Sequence, residues 1–437
     1  MTAVVRAIRG RLFSFTAEPA GAGDAASYTL IPDGMLRVED GRIAAVGPAA
    51  VLEPHLPPGT PVEDHGERLV MPGFIDLHIH FPQTQVIASY GAQLLDWLTT
   101  YTFAEEQKYG DPAFAARQAR FFLDELLRNG TTTAVVYGSV HPESVEAFFA
   151  ESERRGTAMI AGKVMMDRHA PAPLCDTAQR GYDDSKALIG RWHGRGRQRY
   201  AVTPRFAITS TPEQLDAAGA LLSEHPDCYL QTHLSENHEE IRQVARLFPA
   251  ARDYTDVYGR FGLLGPRSLL GHCLHLSDGE LARLAASGAV AVACPTSNLF
   301  IGSGLFDAAR VRGAGVRTGL ATDVGGGTSY SMLRTAAELY KVLQLQGQNL
   351  PALAAFYTMT RGNALALGMG DAIGTFVPGA WADAVVLDPS AIPALAHRMK
   401  TARGLEDELF ALMTLGDERV VTATYVQGCR DIATTTA

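Results

Sequence analysis

The sequence predicts an α/β fold: a (β/α)8 TIM barrel with a small β-sandwich unit formed by the N- and C-terminal segments. Three observations predict it. Strand-like apolar runs alternate with helical stretches from about residue 72 to residue 323, the order of a parallel sheet with helices on its outside. Helix start and stop signals fall between those runs. Both ends of the chain alternate apolar and polar residues as half-buried strands do. The expected segments are 1–70 and 370–437 for the two parts of the small unit and 71–369 for the barrel.

Within the first segment, "MLRVEDGRIAAVG" (35–47) is two short alternating runs around Asp40-Gly41, a strong hairpin signal. The barrel strands are expected at 73–80, 131–138, 157–166, 199–206, 227–234, 268–273, 289–294 and 316–322. Asp111-Pro112 opens a helix that Gly130 follows, the Pro-first, Gly-last asymmetry. Thr211-Pro212-Glu213-Gln214 and Ser277-Asp278-Gly279-Glu280 are capping-box patterns, and Gly156 and Gly288 sit where helices should stop. An open doubly wound sheet is the alternative, but no G-x-G-x-x-G follows the first strand. After a helical region (331–369), "GTFVPGAWADAVVLD" (374–388) and "RVVTATYVQGC" (419–429) return to strand-like alternation.

Bulk composition narrows the function. The chain has 437 residues, 46% hydrophobic and 19% charged, with a net charge of −9. It is acidic and has no Lys/Arg block, so neither nucleic acid nor an anionic membrane is an expected partner. The N-terminal "MTAVVRAIRGRLF" lacks the apolar core of a signal peptide. No stretch approaches the roughly 18 apolar residues of a bilayer span. Five scattered cysteines without C-x-x-C fit a reducing, cytoplasmic setting and argue against a disulfide framework or a cysteine zinc site.

Barrel enzymes carry their chemistry at the C-terminal ends of the strands. "MPGFIDLHIHFPQ" (71–83) ends the first strand with His78 and His80, two residues apart and therefore on one face. The fifth ends in "LQTHLSE", with His233 and Glu236. The sixth ends in "LLGHC", with His272, and the eighth in "LATD", with Asp323. Imidazole nitrogens and a carboxylate on one rim suit a divalent transition metal, most simply Zn²⁺, with Fe also compatible. A single histidine on an apolar strand is usually a packed core residue; four histidines and an aspartate at four strand ends are not readily four accidents. Asp76 lies deeper and is expected to be structural. His238 and His275 are expected at the surface or behind the site. The remaining histidines carry no signal.

"PGFIDLHIH", the later strand-end histidines and the eighth-strand aspartate together resemble the amidohydrolase superfamily, over nearly the whole chain. The resemblance implies a metal-dependent hydrolase. Binuclear members place a carboxylated lysine at the end of the fourth strand; this chain has Arg205 in "AVTPRF", and an arginine stays protonated. One metal is therefore implied, held by His78, His80, His233 and Asp323, with His272 beside it as ligand or water-orienting group. Deamination needs a proton shuttle near the metal, and Glu236, three residues after a ligand, is placed for it. Its bland alternative, a carboxylate favoured at a helix N-terminus, is compatible with that role.

"HFPQTQ", "LLDWLTTYTFAEE", "VTPRF", "HLSENHEE", "CPTSNL" and "TDVGGGTSYSM" resemble more narrowly the amidohydrolases that deaminate guanine. That resemblance implies hydrolysis of guanine to xanthine and ammonia by a metal-activated hydroxide. Glu236, Asp323 and His272 would be catalytic. Gln83 would bond a purine edge, Arg205 would donate to the carbonyl oxygen, and Phe206 would stack on the base. Unaided by resemblance, these three read as a loop residue, a salt-bridged rim arginine and a core aromatic. The combined H-x-E and P-C-x-x-C signature of polynucleotide deaminases is absent. Competing expectations are a deaminase or chlorohydrolase of the same group acting on a modified purine, an s-triazine or a methylthioadenosine-type substrate, and a non-catalytic scaffold. A homodimer is expected by analogy.

Overall fold

The structure of the protein, a computed structural model, describes residues 4–91 and 93–431; residues 1–3 and 432–437 of the two terminal segments lie outside it. Eight parallel strands run around a nearly closed barrel: Phe74–His80, Thr131–Tyr137, Ala158–Gly162, Arg199–Pro204, Tyr229–Leu234, Ser268–His272, Val290–Ala293 and Arg317–Leu320. Each lies within one of the eight expected runs. The third run breaks at Lys163, whose ammonium turns away to pair with Asp176, and resumes as Val164–Met165 beside the fourth strand. Every residue of "FIDLHIH" is buried, as a parallel strand packed on both faces requires.

The helix signals are read out locally. Asp111 caps Pro112–Arg128 by accepting from the Ala113 amide. Helices Pro142–Arg155 and Asp278–Ser287 stop on Gly156 and Gly288, both left-handed, at φ 73° and 71°. The Ser277–Glu280 capping box is complete. The Thr211 box forms only by half: Thr211 accepts from the Gln214 amide, but the Gln214 side chain donates to Asp176 instead. The Thr211 amide that the box would have bonded donates to Asp167 Oδ1, at 2.8 Å.

The seam between the first and eighth strands is stitched at three levels. At the bottom, Asn363 donates to the carbonyls of Ile75 (2.7 Å) and Leu320 (2.9 Å) and accepts from the Leu320 amide. Midway, Asp76 accepts from the Thr322 amide and hydroxyl and from the His78 amide, the structural role its depth implies; burial pushes its carboxyl up to about 6. At the top, the Asp323 amide donates to His78 and the His80 amide to Val324. These bonds hold His78, His80 and Asp323 at one rim.

Strands from both chain ends make one seven-stranded sheet, in the order Cys429–Arg430, Val421–Val426, Ala384–Leu387, Val62–Pro72, Val5–Phe15, Tyr28–Glu39, Arg42–Pro48. Asp40 and Gly41, at φ 49° and 79°, form the expected hairpin turn, which needs two left-handed residues. Helices Pro393–Met399 and Leu405–Leu415 interrupt the C-terminal segment, where alternation had suggested only strands. Arg197, just before the fourth barrel strand, grips Asp383, just before Ala384–Leu387, through both guanidinium nitrogens, and both side chains are buried. Asp383→Ala leaves that guanidinium uncompensated and is expected to cost about 3–5 kcal/mol in denaturant unfolding. A loss below about 1 kcal/mol, the level of an exposed pair, would mean that the pair does not tie barrel to sheet.

Candidate active site

The first strand ladders onto the second with a bulge between Asp76 and Ile79, a device that re-aims side chains beside functional sites. His78 and His80 emerge from it with their Nε2 atoms 3.3 Å apart. His233 Nε2 lies 3.2 Å from that of His80. Asp323 Oδ1 lies 3.4 Å from His78 Nε2 and 3.3 Å from His80 Nε2. His272 and Asp323 sit in left-handed backbone at φ 70° and 52°, a conformation that costs about 1–3 kcal/mol away from glycine and clusters at functional sites. The turns after the sixth and eighth strands thus bring both side chains to the rim.

His78, His80 and His233 bring their ring nitrogens together. Burial depresses the basicity of His80, to about 3, and that of His233 well below the usual range. His233 Nδ1 donates to the Arg205 carbonyl at 2.7 Å, which leaves Nε2 unprotonated and inward. His272 Nδ1 is held by Asn298 Oδ1 at 2.8 Å, and its buried Nε2 makes no hydrogen bond. Burial acts to raise the Asp323 carboxyl, but His78, then His80 and His272, hold it well below the carboxylate range. His78, His80 and Asp323 stand 3.3–3.4 Å from one another and His233 stands 3.2 Å from His80, a gathering of imidazole nitrogens and an ionised oxygen whose chemistry suits one divalent cation such as zinc. Tyr137, from the end of the second strand, stacks on His80 with ring centres 4.4 Å apart and closes the cluster from behind.

Glu236 is buried beside this cluster. Its Oε2 lies 3.4 Å from His272 Nε2, and its Oε1 accepts from the Ser303 hydroxyl at 3.1 Å. Burial, reinforced by the charge on Asp323, pushes its carboxyl up to about 8. A capping box between Asn237 and Glu240 fixes the turn that follows it.

A small cavity adjoins these groups, lined by His80, Gln83, Arg205, Phe206, His233, Glu236, His272 and Asp323 together with the apolar Leu94, Trp97, Leu98 and Ile301. His78 lies just behind it. Phe206 presents its ring edge-on to His233, 6.3 Å away. The sequence did not single out Glu106, Asn298 or Ser303, nor the apolar wall from the segment after the first strand. Glu106 is buried; it accepts from the Gln83 amide at 3.0 Å and from Arg205 Nη1 with both oxygens, at 2.9 and 2.8 Å. Glu106 and Asn298 lie in stretches whose resemblance was noted and Ser303 lies outside them, and nothing in their spacing marked them. His238 and His275 stack on each other outside the cluster, with ring centres 3.8 Å apart. His275 bonds the Ser303 carbonyl and so braces the loop that holds Glu236.

Comparison with known proteins gives a consistent picture. The model described as "Amidohydrolase family" matches residues 69–430. The chain is 45% identical to a guanine deaminase of Escherichia coli (strain K12), over 97% of each protein. The solved structure of E. coli guanine deaminase superposes with a TM-score of 0.95, covering 98% of this chain and 99% of that one. A guanine deaminase from C. acetobutylicum, crystallised with guanine bound in its active site, is 27% identical and superposes with a TM-score of 0.87, covering 98% of this chain and 99% of that one.

Proposed function

This chain belongs to the amidohydrolase family, and on that footing we infer that it hydrolyses guanine to xanthine and ammonia. It is a hydrolytic deaminase acting on a C–N bond of a cyclic amidine. The observation that carries this reading is a single small cavity bordered by a cradle of metal-binding donors, a buried acid and a Gln–Arg pair. Four side chains would hold one divalent ion, most simply zinc: His78, His80, His233 and Asp323. When bound, that ion supplies Lewis-acid activation of water at neutral pH.

The chain's own residues do the rest. Arg205 donates to the guanine carbonyl oxygen and Gln83 bonds the neighbouring ring edge. Phe206 packs against the base, while Leu94, Trp97, Leu98 and Ile301 exclude bulk water. This grip presents the carbon that bears the exocyclic amine to the attacking water. His272, its Nδ1 fixed by Asn298, directs its Nε2 at that water and steadies it. Asp323 assists its deprotonation. Glu236 takes one proton of the water and passes it to the ring nitrogen, then takes the second from the added hydroxyl and gives it to the departing amine, which leaves as ammonia while the carbon keeps its new oxygen as a carbonyl. Ser303 holds one carboxylate oxygen, so that the other faces the reacting atoms.

The test is ammonia release from guanine, measured on protein loaded with a defined metal and again after chelation. Release that stops on chelation and returns with added zinc or iron is the expected result. Much faster turnover of an s-triazine or a methylthioadenosine-type substrate would overturn the base assignment and leave the hydrolytic chemistry standing. The same reading takes the enzyme as a cytoplasmic homodimer, consistent with five free thiols and checked by light scattering of the purified protein.

A further inference from the structure

We propose that Glu106 sets base specificity, acting as a positioning residue that fixes the hydrogen-bond polarity of Gln83 and Arg205 toward the substrate. The proposal deepens the guanine reading and rests on it. A side-chain amide can be turned either way, and by itself Gln83 would offer the base a donor or an acceptor equally well. Glu106 removes that freedom. Its carboxylate faces the Arg205 guanidinium through both oxygens and is acceptor-only there. The Gln83 group directed at it, 3.0 Å from Oε1, must therefore be the NH2. The Gln83 carbonyl is left as the atom available to a ligand, and among the described residues no hydrogen bond is made to it. Arg205, with no acceptor atoms, is always a donor.

The pair consequently offers one donor and one acceptor in a fixed order. A lactam edge, with a carbonyl oxygen beside a ring N–H, complements it. An amino-purine edge, with an N–H2 beside a bare ring nitrogen, is the mirror pattern and meets a donor with a donor and an acceptor with an acceptor. Gly325 reinforces the arrangement from the opposite side. A Cβ there would come within 2.6 Å of Gln83 Cβ and 3.0 Å of Gln83 Oε1, so the missing side chain is what lets the amide lie in this position. Glu106, Gln83 and Arg205 are all buried, where an unmatched polar group is most costly.

The experiment uses hypoxanthine, which has the lactam edge without the amine to be removed, and adenine, which has the reversed edge, as competitive inhibitors of guanine turnover. The wild-type enzyme is expected to bind hypoxanthine at least ~10²-fold more tightly than adenine, the scale on which sites built to hydrogen-bond reject mismatches. Glu106→Gln, which frees the amide to turn, should shrink that ratio about 10-fold, on the same scale. It should raise KM for guanine more than it lowers kcat, with metal content unchanged. If that variant does not fold, Gln83→Met decides. A fixed carbonyl discriminates, so its removal should shrink the ratio; a freely turning amide discriminates nothing, so its removal would leave the ratio intact. A ratio unchanged in a folded variant overturns the role of Glu106, even though guanine is turned over. Failure of the wild-type enzyme to deaminate guanine would instead overturn the reading beneath it.

Discussion

Glu236→Gln lowers ammonia release from guanine by roughly 10²-fold or more, the size of a general acid–base contribution, in a protein that retains its metal. The substitution keeps the volume of a fully buried side chain and an oxygen to accept from Ser303. What it removes is the capacity to take a proton and give it back. Wild-type Glu236 suits that task because it lies 3.4 Å from His272 and burial raises its proton affinity toward the neutral range. Glutamine also lacks the charge that opposes Asp323, so the variant should be no less stable than the parent. A near-normal rate with normal metal content would remove Glu236 from the chemistry.

Arg205→Ala collapses guanine turnover for two additive reasons. It deletes the cationic donor to the carbonyl oxygen, a bond worth about 1.5–3 kcal/mol, and it leaves Glu106 as a buried, unpaired carboxylate facing that same oxygen. The combined loss in kcat/KM is expected at ~10²-fold or more, since about 1.4 kcal/mol is a factor of ten. Unfolding should show a second cost, of about 3–5 kcal/mol, from the broken buried pair. The metal cradle takes only the Arg205 backbone carbonyl, as the acceptor for His233, and alanine keeps that group, so metal content should hold. Unchanged guanine kinetics would show that Arg205 does not touch the base.

The sequence made the donor cluster legible because strand geometry is periodic. Two histidines at a spacing of two must share a face, and strand ends on a barrel share a rim, so His78, His80, His233, His272 and Asp323 could be placed together without knowing any distance. The barrel itself was legible for the same reason, from strand-length runs separated by capped helices. Glu106 was not. It stands 23 residues from Gln83 and 99 from Arg205, in "FAEE", which reads like any acidic helix turn. Only the packing of the segment after the first strand back over the rim turns that acid inward. Asn298 and Ser303 were hidden likewise, because an amide or hydroxyl in a loop has no periodicity to betray its partner. The Thr211 box failed for a related reason: a local motif competes with tertiary partners, and Asp167 took the Thr211 amide while Asp176 took the Gln214 side chain. The C-terminal helices were missed because the alternation on either side of them was the stronger signal.

The claim on which the chemistry turns is that His78, His80, His233 and Asp323 share one cation. Anomalous diffraction from crystals of the metal-loaded enzyme, recorded on either side of the metal's absorption edge, tests it most directly. A single peak bonded to the three Nε2 atoms and to one Asp323 oxygen, each about 2.0–2.2 Å away, is the predicted result. Density free of any peak at that point, or a metal bound only elsewhere on the chain, would contradict it.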